Sequence, residues 1–527
     1  MRATHEVVNQ PPPLVDYNVF ARDRALVEAV ARGEAAWACS ELEALGSDAG
    51  TADWQKQGAL ANQHPPVLQT HDRFGHRIDE IEFHPAWHRL LDRAVEHGLH
   101  ARAWSDARPG AHVARAAAFV IWSQVEAGHL CPVSMTFAAI PVLRHAPALA
   151  SVWEPRLASG ALCGMAMTEK QGGSDVRANS TRAESLGVGA YLLTGHKWFC
   201  SAPMSDAFLV LAQTDQGLGC FFMPRLLDDG TRNKFFIQRL KDKLGNRSNA
   251  SSEVELDGAW AQLIGAEGRG VPVIAEMVNS TRLDCILGTA ALMRQALAQA
   301  VHHATHRNAF GRRLVDQPLM RTVLADLALE SEAATTLALR LASAMDHAAH
   351  DEHEALVKRL GTALGKYWVC KRGATFVAEA LECLGGNGYV EDSGLPRLYR
   401  EAPLNSIWEG AGNIQALDML RVIAREPRAL EAVLGEIGSA LGGNRHLDAA
   451  VRHLHAALTA PDEHRARWLA ERLALALQAS LLVRHAPTAV ADAFCAARLG
   501  GEAGLAFGTL PIGLDLDGIL DRAWPSD

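Results

Sequence analysis

The chain has 527 residues, 48% of them hydrophobic and 21% charged. This is longer than one hydrophobic core usually organises, and the composition excludes disordered and fibrous classes. A formal net charge of -9 excludes a uniformly basic nucleic-acid binder, so any basic face has to be local. Nine cysteines, scattered from Cys39 to Cys495 without a CxxC pair, read as reduced thiols of a cytosolic protein.

The opening run MRATHEVVNQPPPL lacks the basic start and apolar core of a secretory signal, and no apolar stretch of about 18 residues is free of charge. A cytoplasmic protein outside the membrane is expected. Residues 1–162 carry apolar positions three and four apart, as in WHRLLDRAVEHGLHARAW and ARAAAFVIWSQVEAG, which predicts an N-terminal helical domain. Residues 163–268 break into short aromatic and β-branched runs (YLLTGHKWF, AFLVLAQT, GCFFMPR, KFFIQRL, SSEVELDG) with Gly, Asp and Asn between them, predicting a middle β domain. Helical periodicity returns over 269–424 in segments long enough for a bundle. A further Ala/Leu/Arg helical region fills 425–527. The fold class is therefore α+β and multidomain: helices, β domain, helical bundle, extra helical domain.

Four segments could carry chemistry. In MTEKQGGSDV, residues 167–176, Thr168 and Ser174 offer hydroxyls, and Gly172 and Gly173 allow close backbone approach, so the run could cradle a phosphate or form a plain polar turn. In TGHKWFCSAP, residues 194–203, aromatic side chains precede Ser201, which suits a flat heteroaromatic ring or a packed core. In RNAFG, residues 307–311, Arg307 could hold a pyrophosphate or counter a helix dipole. In NSIWEGAGNIQ, residues 405–415, Glu409 could be a catalytic base or a helix-start acid. There is no GxxxxGK[ST], and the GGNGY run at 385–389 does not sit in a βαβ unit, so a P-loop or Rossmann site is not expected. His302, His303 and His306 read as a solvated helix face rather than a metal site, and Asp242 and Glu253 as structural.

Taken together, in this order, MTEKQGGSDV, GHKWFCS, RNAFG, LGGNGY and LPRLYREAPLNSIWEGAGNIQ resemble the acyl-CoA dehydrogenase flavoprotein family. The runs NQPPPL, FHPAWH and RLKDKLGNRSNAS and the region beyond 425 look like the alkylation-response members of that family. The resemblance implies an acyl-CoA dehydrogenase-like fold with a middle β-barrel and a four-helix C-terminal domain. It also implies FAD held non-covalently and a homotetramer acting on an acyl-CoA.

By that resemblance Met167, Thr168, Gly173, Ser174, Asp175 and Val176 line the flavin and pyrophosphate, with Ser174 on the phosphates. Phe199, Cys200 and Ser201 cover an edge of the isoalloxazine, Ser201 standing near N5. Ile407, Trp408, Gly410, Gly412 and Asn413 close over the cofactor. Arg307, Phe310, Gln317, Gly385 and Gly386 reach FAD held mainly by a neighbouring subunit. Glu409 matches the family's base, which takes a proton α to the thioester carbonyl. The alternative base position, before the arginine of a TR pair, holds Thr281 ahead of Arg282 and no carboxylate. Arg421, twelve residues after Glu409, could pair with it.

A second reading is a double-stranded DNA-binding alkylation-stress protein that protects or repairs DNA, with FAD mainly structural. Residues 425–527 hold 10 Arg, no Lys and 13 Asp plus Glu. DNA binding there requires arginines 445, 452, 465, 467, 472 and 484 to gather on one face. The other expectation for the region is an oligomerisation module.

Overall fold

The computed structural model describes residues 4–525, and the chain packs as two compact units. One gathers the residues up to 55, 108–125 and everything from 285 onward. The other gathers 56–107 and 126–284.

At the centre of the second unit is a closed β-barrel. Strand Ala207–Thr214 is followed around the ring by Arg182–Gly187, Ala190–Ser201, Ser251–Ile264 and Gly217–Pro224, and the last pairs back onto the first. Cys163–Ala166 lies parallel beside Ala207–Thr214, and Phe235–Leu240 pairs with Ser251–Ile264. Side-chain alternation divides AFLVLAQT between two cores: Phe208, Val210 and Ala212 face the barrel interior with Leu193, Cys200 and Phe221. Ala207, Leu209 and Leu211 pack instead with Met135 and Ala139 of helix Leu130–Leu143 and Leu157 of helix Pro147–Ala158. Burial on both faces explains the unbroken apolar run.

Residues 56–107 are less helical than their periodicity predicts. Val67–His71 and Arg77–Glu82 form an antiparallel hairpin whose turn uses Gly75 at φ +88. Its strands alternate exposed and half-buried residues, so their charges hide the period-two pattern from a reading for apolar spacing.

In the first unit, helices Pro318–His347 and Glu352–Glu382 are joined by a short loop, which makes them antiparallel neighbours. Asp351 caps the second helix by accepting from the His353 and Glu354 N–H groups. Helix Ala466–His485, beyond the bundle in sequence, packs on both of these and on helix Gly412–Arg425. The region after 425 therefore folds with the bundle.

Partly buried ion pairs reinforce that packing. Arg340 bridges Glu354 at 2.7 Å and Glu436 at 2.9 Å, and Arg484 reaches Glu436 at 2.6 Å. Arg498 bonds Asp326 and Glu330, and Arg522 bonds Glu28 and Glu332. Burial would raise the Glu436 carboxyl, but the Arg340 and Arg484 guanidiniums outweigh it and hold it at about 2. Glu436→Gln should cost about 3 kcal/mol, because Arg484 loses its carboxylate while Arg340 keeps only Glu354, read as a lower midpoint of thermal unfolding. An unchanged midpoint at neutral pH would refute this role.

Among the described residues no helix is long and apolar enough to cross a membrane, no group of His, Cys, Asp and Glu is arranged for a metal ion, and the cysteines are unbridged.

Candidate active site

The expected cofactor residues divide between the two units. In the second, loop 167–176 lies against the end of strand Ala190–Ser201, and the Trp198 N–H donates to the Thr168 carbonyl at 2.8 Å. Beneath the loop, Lys197 Nζ lies 2.9 Å from Glu169 Oε1, with both side chains 0% exposed. Lys197 Nζ also donates to the Leu211 carbonyl, and Glu169 accepts from the Ser180 N–H and hydroxyl and the Thr181 N–H. Burial works to raise the Glu169 carboxyl, but the Lys197 ammonium and these donors prevail and hold it at about 2. Sequence reasoning missed this pair, although Glu169 and Lys197 both lie inside segments it had singled out.

The braced base leaves Gly173, Ser174 and Asp175 exposed. A Cβ at Gly173 would lie 2.4 Å from Thr168 Oγ1, and Gly172 sits at φ +118, so the glycines are structurally required. Met167 is tied through its carbonyl to Asn179 Nδ2 at 2.8 Å. Phe199 is exposed, and Lys241 Nζ lies 4.6 Å from its ring and 3.4 Å from that of Trp198. Ser201 Oγ is 3.3 Å from Ser251 Oγ. Cys200 is fully buried with its thiol in the barrel core, where burial raises it to about 12, and its carbonyl accepts from Ser252 Oγ at 2.9 Å, so its thiol does not face a ligand as expected.

In the first unit, Asn308–Ala309 and Arg312–Arg313 pair as a hairpin whose two turn residues, Phe310 at φ +53 and Gly311 at φ +80, are both left-handed. Phe310 is 97% exposed there. Gln317 Nε2 donates to the Ala309 carbonyl at 2.9 Å and steadies the hairpin's return.

The N-terminal arm clasps the same hairpin. Asn9 bonds the Asn308 N–H and carbonyl through its side chain, and Arg307 Nη1 donates to the Asn9 carbonyl. Gln10 Oε1 accepts from Asn387 Nδ2 at 3.1 Å, so the arm links the hairpin to the turn at Gly385 and Gly386. Both glycines have open space above their Cα atoms.

The fourth segment, 405–415, leads into helix Gly412–Arg425. Glu409 is half-buried and holds a left-handed backbone at φ +57, followed by Gly410 at φ +99. Strain of this kind at a non-glycine residue costs about 1–3 kcal/mol and persists only where its surroundings enforce it. Trp408 Nε1 is tied to Asn405 Oδ1 at 2.9 Å, which fixes the indole. Ile407 and Asn413 are exposed, and Gly412 lies beside the end of Lys371. Arg421 lies 3.8 Å from Asp418, its own helix neighbour, which also binds Arg359 at 2.9 Å.

Within the second unit, an exposed glycine loop over a braced base and an exposed aromatic on the adjoining strand offer the kind of surface that suits phosphates and a flat ring. Within the first, a strained carboxylate stands at a helix start. Helices, closed barrel and antiparallel bundle in that chain order define the class: an acyl-CoA dehydrogenase-type fold. Residues 9–162 match the family model of the adaptive response protein AidB N-terminal domain, 164–259 the acyl-CoA dehydrogenase middle domain, and 268–424 the acyl-CoA dehydrogenase C-terminal domain. "Putative acyl-CoA dehydrogenase AidB" of Escherichia coli is 48% identical, covering 95% of this chain and 96% of that protein. The crystal structure of Caenorhabditis elegans ACDH-11 in complex with C11-CoA superposes with a TM-score of 0.87 at 28% identity, over 94% of this chain and 92% of that one. A Bacillus anthracis acyl-CoA dehydrogenase complexed with FAD shares the fold, with a TM-score of 0.63 at 18% identity over 83% of this chain and 82% of that one. The chain belongs to the acyl-CoA dehydrogenase family of FAD-dependent oxidoreductases, among its AidB-like members.

Proposed function

We propose that the protein dehydrogenates an acyl-CoA thioester across its α and β carbons, with Glu409 as the base. The observation that carries this reading is the left-handed Glu409 backbone, a strained conformation at the residue where the reaction needs a carboxylate. Glu409 takes the α proton onto its carboxylate. FAD, when bound, accepts the hydride that leaves the β carbon. The Glu409 N–H would steady negative charge growing on the thioester oxygen. Ser174 and the glycine loop would hold the phosphates, Phe199 and Ser201 the ring edge, and Asn413 the far side of the helix start. Anaerobic addition of a panel of short, branched and long acyl-CoAs, an eleven-carbon chain among them, should bleach the flavin. Bound FAD that no member bleaches would overturn the reading.

A cytoplasmic homotetramer accompanies this proposal. An aromatic side chain 97% exposed on a strained turn, Phe310, supports contact with a neighbouring subunit. On that reading Arg307 holds a neighbour's cofactor phosphates, and the arm that clasps its hairpin matters to the cofactor. Asn9→Ala should release FAD roughly tenfold more readily on dilution with the oligomer intact, measured by ultrafiltration and light scattering. Wild-type retention would remove the arm from this role.

Duplex DNA is the competing partner. Arg445, Arg452, Arg465 and Arg467 are exposed, Arg472 is half-buried, and Arg484 is held by Glu436, which takes it out of a basic face. Binding at low salt that falls steeply with added salt and is lost on replacing the four exposed arginines would favour DNA.

A further inference from the structure

We propose that Lys366 is a positioning residue for this reaction, holding the 405–410 turn so that the Glu409 carboxylate is presented to the substrate. The inference rests on Glu409 being the base. Lys366 lies on helix Glu352–Glu382 and is 1% exposed. Its Nζ donates to the Asn405 carbonyl at 2.6 Å and to the Gly410 carbonyl at 3.2 Å. Both acceptors are main-chain carbonyls. Burying an ammonium is costly, and an aliphatic side chain would fill the same space more stably. What the ammonium adds is N–H donors that can converge on carbonyl oxygens from separate points of the chain.

Those oxygens flank the base. A second buried donor, Gln415 at 1% exposure, reaches the Glu409 carbonyl at 3.1 Å and the Gly410 carbonyl at 3.0 Å. The carbonyls of 405, 409 and 410 are therefore all drawn onto two buried side chains. Asn405 is fixed further by its own amide, which accepts from Trp408 Nε1 and donates to Thr289 Oγ1 at 3.1 Å. These anchors hold the carbonyls on both sides of the left-handed turn at Glu409, at φ +57 and then +99 at Gly410. The strain is thus enforced from beneath by the donors of Lys366 and Gln415. Relaxing it would re-aim the carboxylate, and displacement of a reacting group by about 1 Å can cost on the order of a hundredfold in rate.

The test uses holoenzyme with Lys366→Met, which keeps length and removes the donors, and Gln415→Leu. Hydrogen exchange of the peptide spanning 404–412 should speed roughly tenfold in either variant, while helix Pro318–His347 exchanges as in wild type. In single turnovers with an acyl-CoA that bleaches the wild-type flavin, the limiting rate should fall on the order of a hundredfold, and the half-saturating concentration should stay within about threefold. A folded Lys366→Met protein with wild-type exchange and limiting rate overturns the proposal, as does a loss confined to half-saturation. Should no acyl-CoA bleach the wild type, the Glu409 reading fails, and the exchange measurement alone decides whether Lys366 holds the turn. Should Lys366→Met not fold, Gln415→Leu decides by the same two readouts.

Discussion

Glu409→Gln is expected to lower the limiting rate of flavin reduction by between about 10²- and 10⁴-fold, the usual contribution of a positioned general base. The substitution keeps the side-chain shape and leaves the main-chain anchors in place, since Lys366 and Gln415 hold carbonyls rather than the carboxylate. FAD content and melting midpoint should therefore match wild type. That pattern separates loss of the base from loss of the site. A Glu409→Gln variant reduced by acyl-CoA at the wild-type rate would show that the proton leaves by another route. A variant that has lost FAD would make Glu409 a structural residue.

The largest stability effect is expected at the braced base of the glycine loop. Lys197→Met leaves Glu169 buried and unpaired, a change that costs about 3–5 kcal/mol. Because the loop 167–176 rests on that pair, FAD retention should fall together with the melting midpoint. The double variant Glu169→Gln with Lys197→Met should recover part of the stability, since no charge is then stranded. The pair also sets an acid limit. The Glu169 carboxyl titrates near 2 in the folded protein, below its ordinary 4.5, so its contribution is present above about pH 4.5 and is lost as pH falls towards 2. Glu169→Gln should remove this acid limb from a plot of stability against pH. A Lys197→Met protein as stable as wild type would mean that the neighbouring donors alone brace the loop.

Much of the architecture was legible in the sequence because the patterns concerned are local. The run AFLVLAQT announces a strand, and the structure buries it on both faces, dividing its residues between two cores. The long Ala/Leu segments become helices of 30 and 31 residues. The hairpin in VLQTHDRFGHRIDEIE is local, but its charges mask the period-two pattern. The other features that could not be read depend on partners distant in the chain. Lys366, in KYWVCKR, looks like one of several surface cations until the fold brings it under residues 405–410. Arg484 belongs by spacing to a possible basic face, yet Glu436 captures it. The motif segments themselves were visible. Their supports, Glu169 with Lys197, Lys366 with Gln415, and Asn9 with the 307–313 hairpin, were not.

Whether Glu409 removes the α proton as hydride departs is read from the rate of flavin reduction in wild-type protein, using an acyl-CoA deuterated either at the α carbon or at the β carbon. With both bonds breaking on the way to reduced flavin, each label should slow reduction. Reduction unaffected by the α label would contradict proton removal at that carbon, and with it the role of Glu409 as base.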